Sequence, residues 1–304
     1  MKPSTLPPYS ARPPVAGVQR ATQTRTRMMM VATAMALSLA FVAAANAQPA
    51  AKTEARTVTT TDAKASGDYV PDVGQDGKDV IWVPTPQTLV DKMLDMAKVT
   101  PQDRLMDLGS GDGRTVITAA QRGLTAQGIE YNPDLVELSR RNAQRAGVAD
   151  RATFVAADLF KTDLSKADVI TMFLLSTINE KLRPTLLQLP PGTRVVSNTF
   201  RMGDWEPDAA ETVTKECSTY CTALLWIVPA KVDGKWDVDG QTLHLTQHYQ
   251  MLSGKLGSAD ISDARLDGKA ISFVANGVRY TGEVNGKTMS GSAAGKGSWT
   301  AKRI

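Results

Sequence analysis

The stretch DLGSGDGR, Asp107 to Arg114, places three glycines and two aspartates within eight residues. It follows an apolar strand predicted at 104–108 and precedes a helix predicted from about Thr115 to Arg122. Glycines at such a turn let the chain bend sharply and let a ligand approach the backbone closely. The helix beyond them offers free N–H groups and the positive end of its dipole. The stretch therefore predicts a ligand-binding site at the carboxyl end of a strand.

The spacing of the glycines narrows the choice of ligand. A dinucleotide-binding fingerprint reads G-x-G-x-x-G, whereas this loop reads G-x-G-x-G from Gly109 to Gly113, after an acidic residue. A phosphate-binding loop requires a Lys-Ser or Lys-Thr pair, and the stretch contains none. Asp107 favours a ligand with a cationic amino group, and Asp112 adds to the negative field. A pyrophosphate would be repelled by both carboxylates.

Acidic residues also end the next two predicted strands. Glu130 in GIEYNP stands where a carboxylate accepts hydrogen bonds from both hydroxyls of a ribose. Asp158 in AADLF is placed to receive the exocyclic amine of an adenine. An amino acid, a ribose and an adenine in this order describe S-adenosylmethionine. The predicted cofactor-binding residues are Asp107, Gly109, Ser110, Gly111, Asp112, Gly113, Glu130, Tyr131, Asp158 and Leu159.

Each of the three acidic residues also has a purely structural interpretation. Asp107 could cap the glycine loop, Glu130 could be a solvated strand end, and Asp158 could begin a helix, as Asp often does. We favour ligand contact, because the three glycines beside Asp107 have little other purpose. The position of Glu130 directly before Asn132-Pro133 also favours ribose binding.

Strands and helices alternate around the glycine loop. Apolar residues at helical spacing predict a first helix that begins near Pro86 and ends near Thr100-Pro101. Further strands are predicted at 127–130, 153–158, 167–175 and 193–198, with helices from Asn132-Pro133 to Gly147 and near 179–187. This α/β alternation is typical of a parallel sheet with helices on both faces. Strands near 211–215 and 222–228 then predict an antiparallel hairpin at its end.

Beyond Pro229 apolar and polar residues alternate with a period of two. The pairs Asp267-Gly268, Asn276-Gly277 and Asn285-Gly286 are typical of type I′ hairpin turns. Residues from about 231 to 304 are therefore predicted to form a small antiparallel β meander or half-barrel.

The motifs together resemble the class I S-adenosylmethionine-dependent methyltransferases, over roughly residues 80–229. More narrowly, VPTP (83–86), DLGSGDGR, GIEYNP and FLLS (173–176) resemble the small protein-lysine methyltransferases similar to the ATP synthase c-subunit lysine methyltransferase. The resemblance implies a Rossmann-like sheet that ends in an antiparallel hairpin, S-adenosylmethionine as cofactor, and N-methylation of a protein lysine. It does not extend to the N-terminal segment or to the C-terminal β module.

The resemblance also indicates where the acceptor would lie. Pro84, Thr85 and Ser176 are the candidate catalytic residues, although Pro84 and Thr85 could equally shape the start of the first helix. Ser176 and Asn179 are expected at the rim of the pocket. FLLS lacks the Asn/Asp-Pro-Pro-Tyr motif of methylases that act on nucleobase amines or glutamine amides, so DNA N-methylation loses support.

Residues 172–174 and Trp205 also lie near the predicted acceptor site. The residues 172–174 are expected in the core. Trp205 either packs against the hairpin or covers the acceptor, and the sequence does not separate these two roles.

Methyl transfer from a sulfonium is an in-line displacement with an activated leaving group, so alignment and desolvation are the main contributions of the protein. A lysine acceptor, with a reference pKa near 10.4, must first lose its proton, and a low-dielectric mouth favours the neutral amine. The predicted domain 80–229 contains no histidine that could act as base. This is consistent with catalysis by alignment.

Two cysteines, Cys217 and Cys221, lie in ECSTYC. If 218–220 form a three-residue hairpin loop, the cysteines can bond; otherwise they are two free thiols, and both possibilities are open. Two cysteines and two histidines are too few for a metal site, so no metal is predicted. His244 and His248 share one face of an alternating strand and are expected to be ordinary surface residues.

Residues 1–47 have the pattern of an export signal. A basic stretch ends at Arg27, an apolar run follows over 28–45, and Ala45-Asn46-Ala47 is a small-x-small cleavage site. The alternative is an uncleaved anchor over 28–47, because a span takes about 20 residues. Setting aside the five basic residues of 1–47 lowers the formal charge from +4 to −1, so no nucleic-acid partner is predicted.

The predicted domain organisation is a signal peptide (1–47), a disordered linker (48–79), a methyltransferase domain (80–229) and a β-rich accessory module (230–304). An exported, periplasmic or secreted, location raises the question of cofactor supply, since S-adenosylmethionine is made inside cells. Two alternatives to lysine methylation are an exported binding protein with an inactive methyltransferase-like core and a small-molecule methyltransferase. Membrane contact is expected only through the N-terminal signal. The sequence does not indicate an oligomeric state.

Overall fold

The computed structural model describes residues 69–77 and 81–304. The predicted signal peptide over 1–47 and most of the predicted linker over 48–79 lie outside the described residues. Within the described part, no helix combines the length and the apolar character needed to cross a bilayer.

Seven strands form the first sheet. They are β1 (Arg104–Leu108), β2 (Thr125–Glu130), β3 (Ala152–Ala156), β4 (Val169–Met172), β5 (Arg194–Asn198), β6 (Ala209–Thr212) and β7 (Thr222–Ile227). Their order is β3-β2-β1-β4-β5-β7-β6. The first five strands pair in parallel, whereas β7 is antiparallel to both of its neighbours. The predicted Rossmann-like sheet with a terminal antiparallel hairpin is confirmed.

Four helices cover this sheet, α1 (Gln87–Met96), α2 (Arg114–Gln121), α3 (Pro133–Arg145) and α4 (Ser176–Leu186). Gly113 is the N-cap of helix α2, and its φ of 83° turns the chain from the loop into the helix. Helix α3 is capped by Asn132, whose side chain accepts a hydrogen bond from the N–H of Asp134. Apolar residues form one cluster with α1, α2 and α3 and another with α4, so both faces of the sheet are covered.

The C-terminal part is a closed eight-stranded barrel. Its strands are β8 (Gly234–Val238), β9 (Gln241–His248), β10 (Met251–Leu256), β11 (Ala259–Asp267), β12 (Ala270–Ala275), β13 (Val278–Asn285), β14 (Thr288–Ala293) and β15 (Gly297–Arg303). Each strand pairs with the next in the chain, and β15 closes the meander by pairing with β8. Buried side chains such as Trp236, Phe273 and Trp299 fill the interior. The predicted meander is confirmed, and it closes fully rather than forming half a barrel.

The hairpin turns of the barrel differ in detail from the prediction. All three predicted glycine turns join paired strands, but only Asn276 and Gly277 both have positive φ, as a type I′ turn requires. At Gly268 and Gly286 the glycine is the first loop residue and alone has positive φ, which is the pattern of a type II′ turn. The turn type was therefore wrong at two of the three sites.

The barrel packs on the methyltransferase sheet through a small set of specific contacts. The Trp205 indole is fully buried, and its Nε1 donates to the Oε1 of Gln250 in the barrel at 3.0 Å. Tyr249 stacks on the Trp205 ring at 5.7 Å between centroids. The guanidinium of Arg265 on β11 donates to the Oδ1 of Asp208, just before β6, at 3.0 Å. Trp205 therefore has the packing role and does not cover the acceptor.

The loop between β6 and β7 contains a disulfide bond that joins Cys217 to Cys221, with 5.8 Å between the Cα atoms. The open question about the cysteines is thus decided in favour of the bond. His244 and His248 lie exposed on β9, as expected from the alternation of that strand.

Candidate active site

A cleft of about 440 Å³ opens at the carboxyl ends of the parallel strands. Residues from the ends of β1 to β5, from the β6–β7 loop, and from the segments 75–77 and 81–85 line it. Ligands of open α/β sheets bind where the strand order reverses, which here is between β1 and β4. The volume lies within the range of small-molecule sites.

The glycine loop forms the floor of the cleft. Gly109, Gly111 and Gly113 all have positive φ, between 55° and 83°. A Cβ on Gly111 would lie 2.6 Å from Nε1 of Trp82, and one on Gly113 would lie 2.7 Å from Cβ of Ser139. Both positions therefore require glycine for the space it leaves as well as for its backbone conformation.

Asp107 lies beneath this loop and is only 6% exposed. Its Oδ1 accepts a hydrogen bond of 2.7 Å from the Thr171 hydroxyl. Burial raises the pKa of the Asp107 carboxyl to about 7, and the nearby charges of Glu130 and Asp112 act in the same direction. A positive ligand group would relieve this unfavourable burial, because an opposite charge favours the ionised carboxylate.

Glu130 connects the end of β2 to the glycine loop. Its Oε2 accepts from the N–H of Gly111 and its Oε1 from the N–H of Asn132, both at 2.9 Å. Each carboxylate oxygen can accept a second hydrogen bond, since an ionised carboxylate offers about four acceptor sites. Glu130 therefore holds the loop and retains the capacity to accept from a ligand that enters the cleft.

Asp158 both begins a short helix and lines the cleft. Its side chain accepts from the N–H of Phe160 at 3.0 Å, which starts a 3₁₀ turn over Leu159–Lys161. The structural interpretation of Asp158 as a helix start is therefore correct. It does not exclude ligand contact, because Asp158 also lies on the cleft wall.

Asp112 forms an ion pair with Arg114, the residue that follows the glycine loop. Its carboxylate pairs with the guanidinium of Arg114 through two oxygens, with a shortest distance of 2.6 Å. The same guanidinium donates to the carbonyl oxygen of Thr85 at 2.9 Å. Asp112 and Arg114 thus tie the glycine loop to the segment before α1.

The structure brings most of the predicted site residues together. Nine of the ten predicted cofactor-binding residues line the cleft, and the exception is Gly113, which packs behind the loop. Pro84 and Thr85 line the cleft as well. Ser176 is the first residue of α4 and is not among the lining residues. Asn179 was expected at the rim, but it is buried and donates to the carbonyl oxygen of Phe200.

Several lining residues were missed or misassigned from the sequence. Trp82 packs against Gly111, and residues 75–77, which lie within the predicted linker, also line the cleft. Phe173 was expected in the core but faces the cleft, where Phe200 and Tyr220 join it. No local motif marks the latter two, because the β5 end and the β6–β7 loop meet Phe173 only in the fold.

These three rings form one wall of the cleft, which we call the aromatic wall (Phe173, Phe200 and Tyr220). The centroid distances are 6.0 Å for Phe173 to Phe200, 5.3 Å for Phe173 to Tyr220 and 5.7 Å for Phe200 to Tyr220. Such distances are typical of packed aromatic rings.

The charges of the cleft are strongly unequal. Five carboxylates and one guanidinium are among the described lining residues, which include no lysine and no histidine. Arg114 is paired with Asp112, and four further carboxylates line the cleft. They are Asp76, Asp107, Glu130 and Asp158. A cleft of this kind favours a cationic ligand and disfavours a phosphate-rich one.

Comparison with known proteins places this site in a family. Residues 107–209 match the model of the ANTKMT methyltransferase domain. The chain is 45% identical over 131 residues to a protein-lysine N-methyltransferase of Saccharolobus islandicus, covering 42% of this chain and 81% of that protein. It is 39% identical over 122 residues to the adenine nucleotide translocase lysine N-methyltransferase of Mus musculus, covering 40% of this chain and 53% of the relative.

The chain is also similar to two further proteins. The chain is 36% identical over 128 residues to the ATP synthase c-subunit lysine N-methyltransferase of Homo sapiens, covering 42% of this chain and 54% of that protein. The match thus spans about half the length of these mammalian relatives. One solved structure is an RNA methyltransferase from Salinibacter ruber in complex with S-adenosyl-L-homocysteine. It is 48% identical to this chain, with a TM-score of 0.47, and the alignment covers 49% of this chain and 96% of the RNA methyltransferase.

The residues of the cleft fit S-adenosylmethionine as the cofactor. The bare backbone of the glycine loop leaves room beside two carboxyls, and the cationic amino group and sulfonium of the cofactor match the negative lining. Since it is similar to a lysine methyltransferase over most of the length of that relative and matches the domain model, this chain belongs to the ANTKMT methyltransferase-domain family of S-adenosylmethionine-dependent methyltransferases.

Proposed function

We propose that this methyltransferase transfers its methyl group to the Nζ of a lysine in a protein. The observation that carries the proposal is the division of the cleft into two halves. Carboxylates follow β1, β2 and β3, together with the rings of Trp82 and Tyr131, whereas the aromatic wall follows β4 and β5, includes the β6–β7 loop and has no carboxylate of its own. The acidic half suits the cofactor, and the aromatic half suits an acceptor with an apolar stem and a cationic end. The lysine substrates named for the relatives support this choice.

The residues of the chain would contribute binding, orientation and the exclusion of water. S-adenosylmethionine, when bound, supplies a methyl group activated by a positively charged sulfur. Asp107 would bind its amino group, Glu130 its ribose and Asp158 its adenine. Pro84 and Thr85 line the cleft, where they help to exclude water. The aromatic wall would shield the acceptor from water, and the amine must lose its proton before it reacts, because only the neutral form is nucleophilic.

The cofactor part of the proposal is tested by calorimetry of the full chain with S-adenosylhomocysteine. We expect binding that is lost in Asp107→Ala and Glu130→Ala. The matched control is Glu137→Ala, because Glu137 is a carboxylate on the exposed side of α3, outside the cleft. No binding even at millimolar ligand would favour the alternative of a binding protein with an inactive core.

The acceptor is tested by incubating the enzyme with a cell extract and methyl-labelled S-adenosylmethionine, followed by acid hydrolysis. Label in methyl-lysine would support the proposal. Label only in RNA or only in the small-molecule fraction would contradict it, and the latter would favour small-molecule methylation. The Glu130→Ala variant serves as the background for each fraction.

We also propose that the protein is exported, with a methyltransferase domain over 80–229 and an accessory module over 230–304. The support is the signal-like pattern of 1–47 together with the Cys217–Cys221 disulfide, since such bonds persist in oxidising compartments. The test fuses residues 1–60 to an enzyme that is active only after export. A fusion that is inactive, while a fusion to a cytosolic reporter is active, would contradict export.

A further inference from the structure

The β6–β7 loop brings an exposed aromatic residue to the mouth of the cleft. Tyr220 is 43% exposed, yet its ring lies within 6 Å of both Phe173 and Phe200 between centroids. The other two rings are partly buried and follow β4 and β5 directly. Tyr220 is therefore the member of the aromatic wall that an incoming acceptor would meet first.

The disulfide holds Tyr220 in this position. The bond between Cys217 and Cys221 encloses only three residues, of which Tyr220 is the last. Tyr220 has a φ of 56°, a conformation that residues other than glycine rarely adopt. The loop is joined to the sheet where the N–H of Val213 donates to the carbonyl oxygen of Cys221. Without the bond, the short loop could relax and move the ring away from Phe173.

The aromatic wall has the chemistry of an alkylammonium site. The methylene stem of a lysine packs well on ring faces, and a cation near such a face is attracted by the ring quadrupole. The acidic lining of the other half adds a negative field. A nucleobase could also stack on three rings, but its phosphates would then approach this acidic lining, so we favour a lysine side chain.

We propose that the aromatic wall is the acceptor subsite and that the disulfide-closed loop positions Tyr220 to bind the lysine side chain. This inference rests on the proposed function, because it names the part of the cleft that would recognise the acceptor. Tyr220 is then a specificity-determining residue, and Cys217 and Cys221 are positioning residues.

The test measures acceptor binding in the presence of saturating S-adenosylhomocysteine, so that no methyl group can be transferred. The probes are a short peptide of alanine, serine and glutamine with one central lysine, and the same peptide with norleucine. The variants are Tyr220→Leu, Tyr220→Phe as the control that keeps the ring, and Cys217→Ser/Cys221→Ser. Affinity for S-adenosylhomocysteine is measured for each variant as a check of the fold.

We expect wild type to prefer the lysine peptide. Affinity for it should fall roughly tenfold in Tyr220→Leu and in the double serine variant, and stay near that of wild type in Tyr220→Phe. Affinity for S-adenosylhomocysteine should stay unchanged in all of them. If Tyr220 only supported the fold, its replacement would weaken binding of both the lysine peptide and S-adenosylhomocysteine.

Four results would overturn all or part of the inference. If wild type prefers lysine and Tyr220→Leu binds it equally well, the subsite is wrong but the proposed function stands. If wild type does not distinguish lysine from norleucine and labels no protein lysine, both fail. If a single-stranded oligouridine binds more tightly than the peptide and depends on Tyr220, the wall stacks nucleobases instead. Unchanged lysine affinity in the serine variant would overturn the role of the disulfide.

Discussion

The buried carboxyl of Asp107 would favour binding of the cofactor but lowers the free energy of unfolding of the ligand-free protein. The folded protein raises the pKa of this carboxyl from its ordinary 3.8 to about 7, mainly through burial. The folded state therefore retains a proton that the unfolded chain releases, and the free energy of unfolding falls as the pH rises from about 4 to about 7. The loss of stability above pH 7 is on the order of 4 kcal/mol, because raising a pKa by one corresponds to about 1.4 kcal/mol.

We expect Asp107→Asn to remove this cost while it weakens cofactor binding. The asparagine keeps an oxygen for the Thr171 hydroxyl and carries no charge. Ligand-free Asp107→Asn should melt at a higher temperature than wild type at pH 8, and the difference should vanish near pH 4. Thermal unfolding followed by circular dichroism across this range checks the prediction. A difference that is the same at every pH would contradict it.

The sequence predicts those site residues whose role is decided by neighbours in the chain. The glycines and Asp107 could be found because a strand, a turn and a helix meet within a few residues, and Glu130 because it ends the next strand. Trp82 and Tyr220 could not be found in this way. Each reaches the cleft from a loop, and each is placed by a contact over a long sequence separation, with Gly111 for the indole and with Phe173 for the tyrosine ring.

At the scale of elements, the turn from β1 into α2 requires glycine at position 113. An added Cβ would lie 2.8 Å from two carbons of the Phe154 ring and 2.7 Å from Cβ of Ser139, so β3 and α3 would have to move. Gly147, after α3, is a matched control. It also has positive φ, but nothing lies within 4 Å of its added Cβ.

We expect Gly147→Ala to lower the free energy of unfolding by about 1 kcal/mol, which is the cost of the left-handed conformation. Gly113→Ala should lower it by about 2–5 kcal/mol, because overpacking adds to the same conformational cost. Urea unfolding of the two variants and wild type measures both values. Equal losses would mean that the elements around Gly113 adjust without cost.

The segment before α1 provides a second prediction at this scale. Of the five tryptophans, Trp205, Trp226, Trp236 and Trp299 are almost fully buried, and Trp82 alone lines the cleft. Binding of S-adenosylhomocysteine should therefore change the tryptophan emission of wild type. The change should be lost in Trp82→Phe and kept in Trp299→Phe, which alters the barrel interior. A signal that persists in Trp82→Phe would show that the segment does not contact the ligand.

At the scale of the whole molecule, the sequence predicts two architectures but not how they meet. The period-two alternation beyond Pro229 identifies the strands of the barrel, yet it is the same for an open and a closed meander. Closure depends on pairing between β8 and β15, which are separated by the whole module. The junction depends on Trp205 and Gln250, which no local pattern connects.

Gly268 tests whether the two parts are stabilised by each other. It shares its positive φ with Gly277 and Gly286 and its first position in the hairpin loop with Gly286, so alanine should impose a similar conformational cost of about 1 kcal/mol at all three sites. Only at Gly268 does the added Cβ meet the other part of the molecule, 3.0 Å from Cα of Gly192. That contact is with backbone, which cannot move aside as a flexible side chain can.

We therefore expect Gly268→Ala to cost about 1–3 kcal/mol more than Gly277→Ala or Gly286→Ala. It should also separate the unfolding of the barrel from that of the sheet, because Gly268 meets the backbone of Gly192, which lies two residues before β5 of the sheet. Scanning calorimetry would then record two transitions where wild type gives one. If all three alanine variants melt alike in a single transition, the barrel does not stabilise the methyltransferase sheet through this turn.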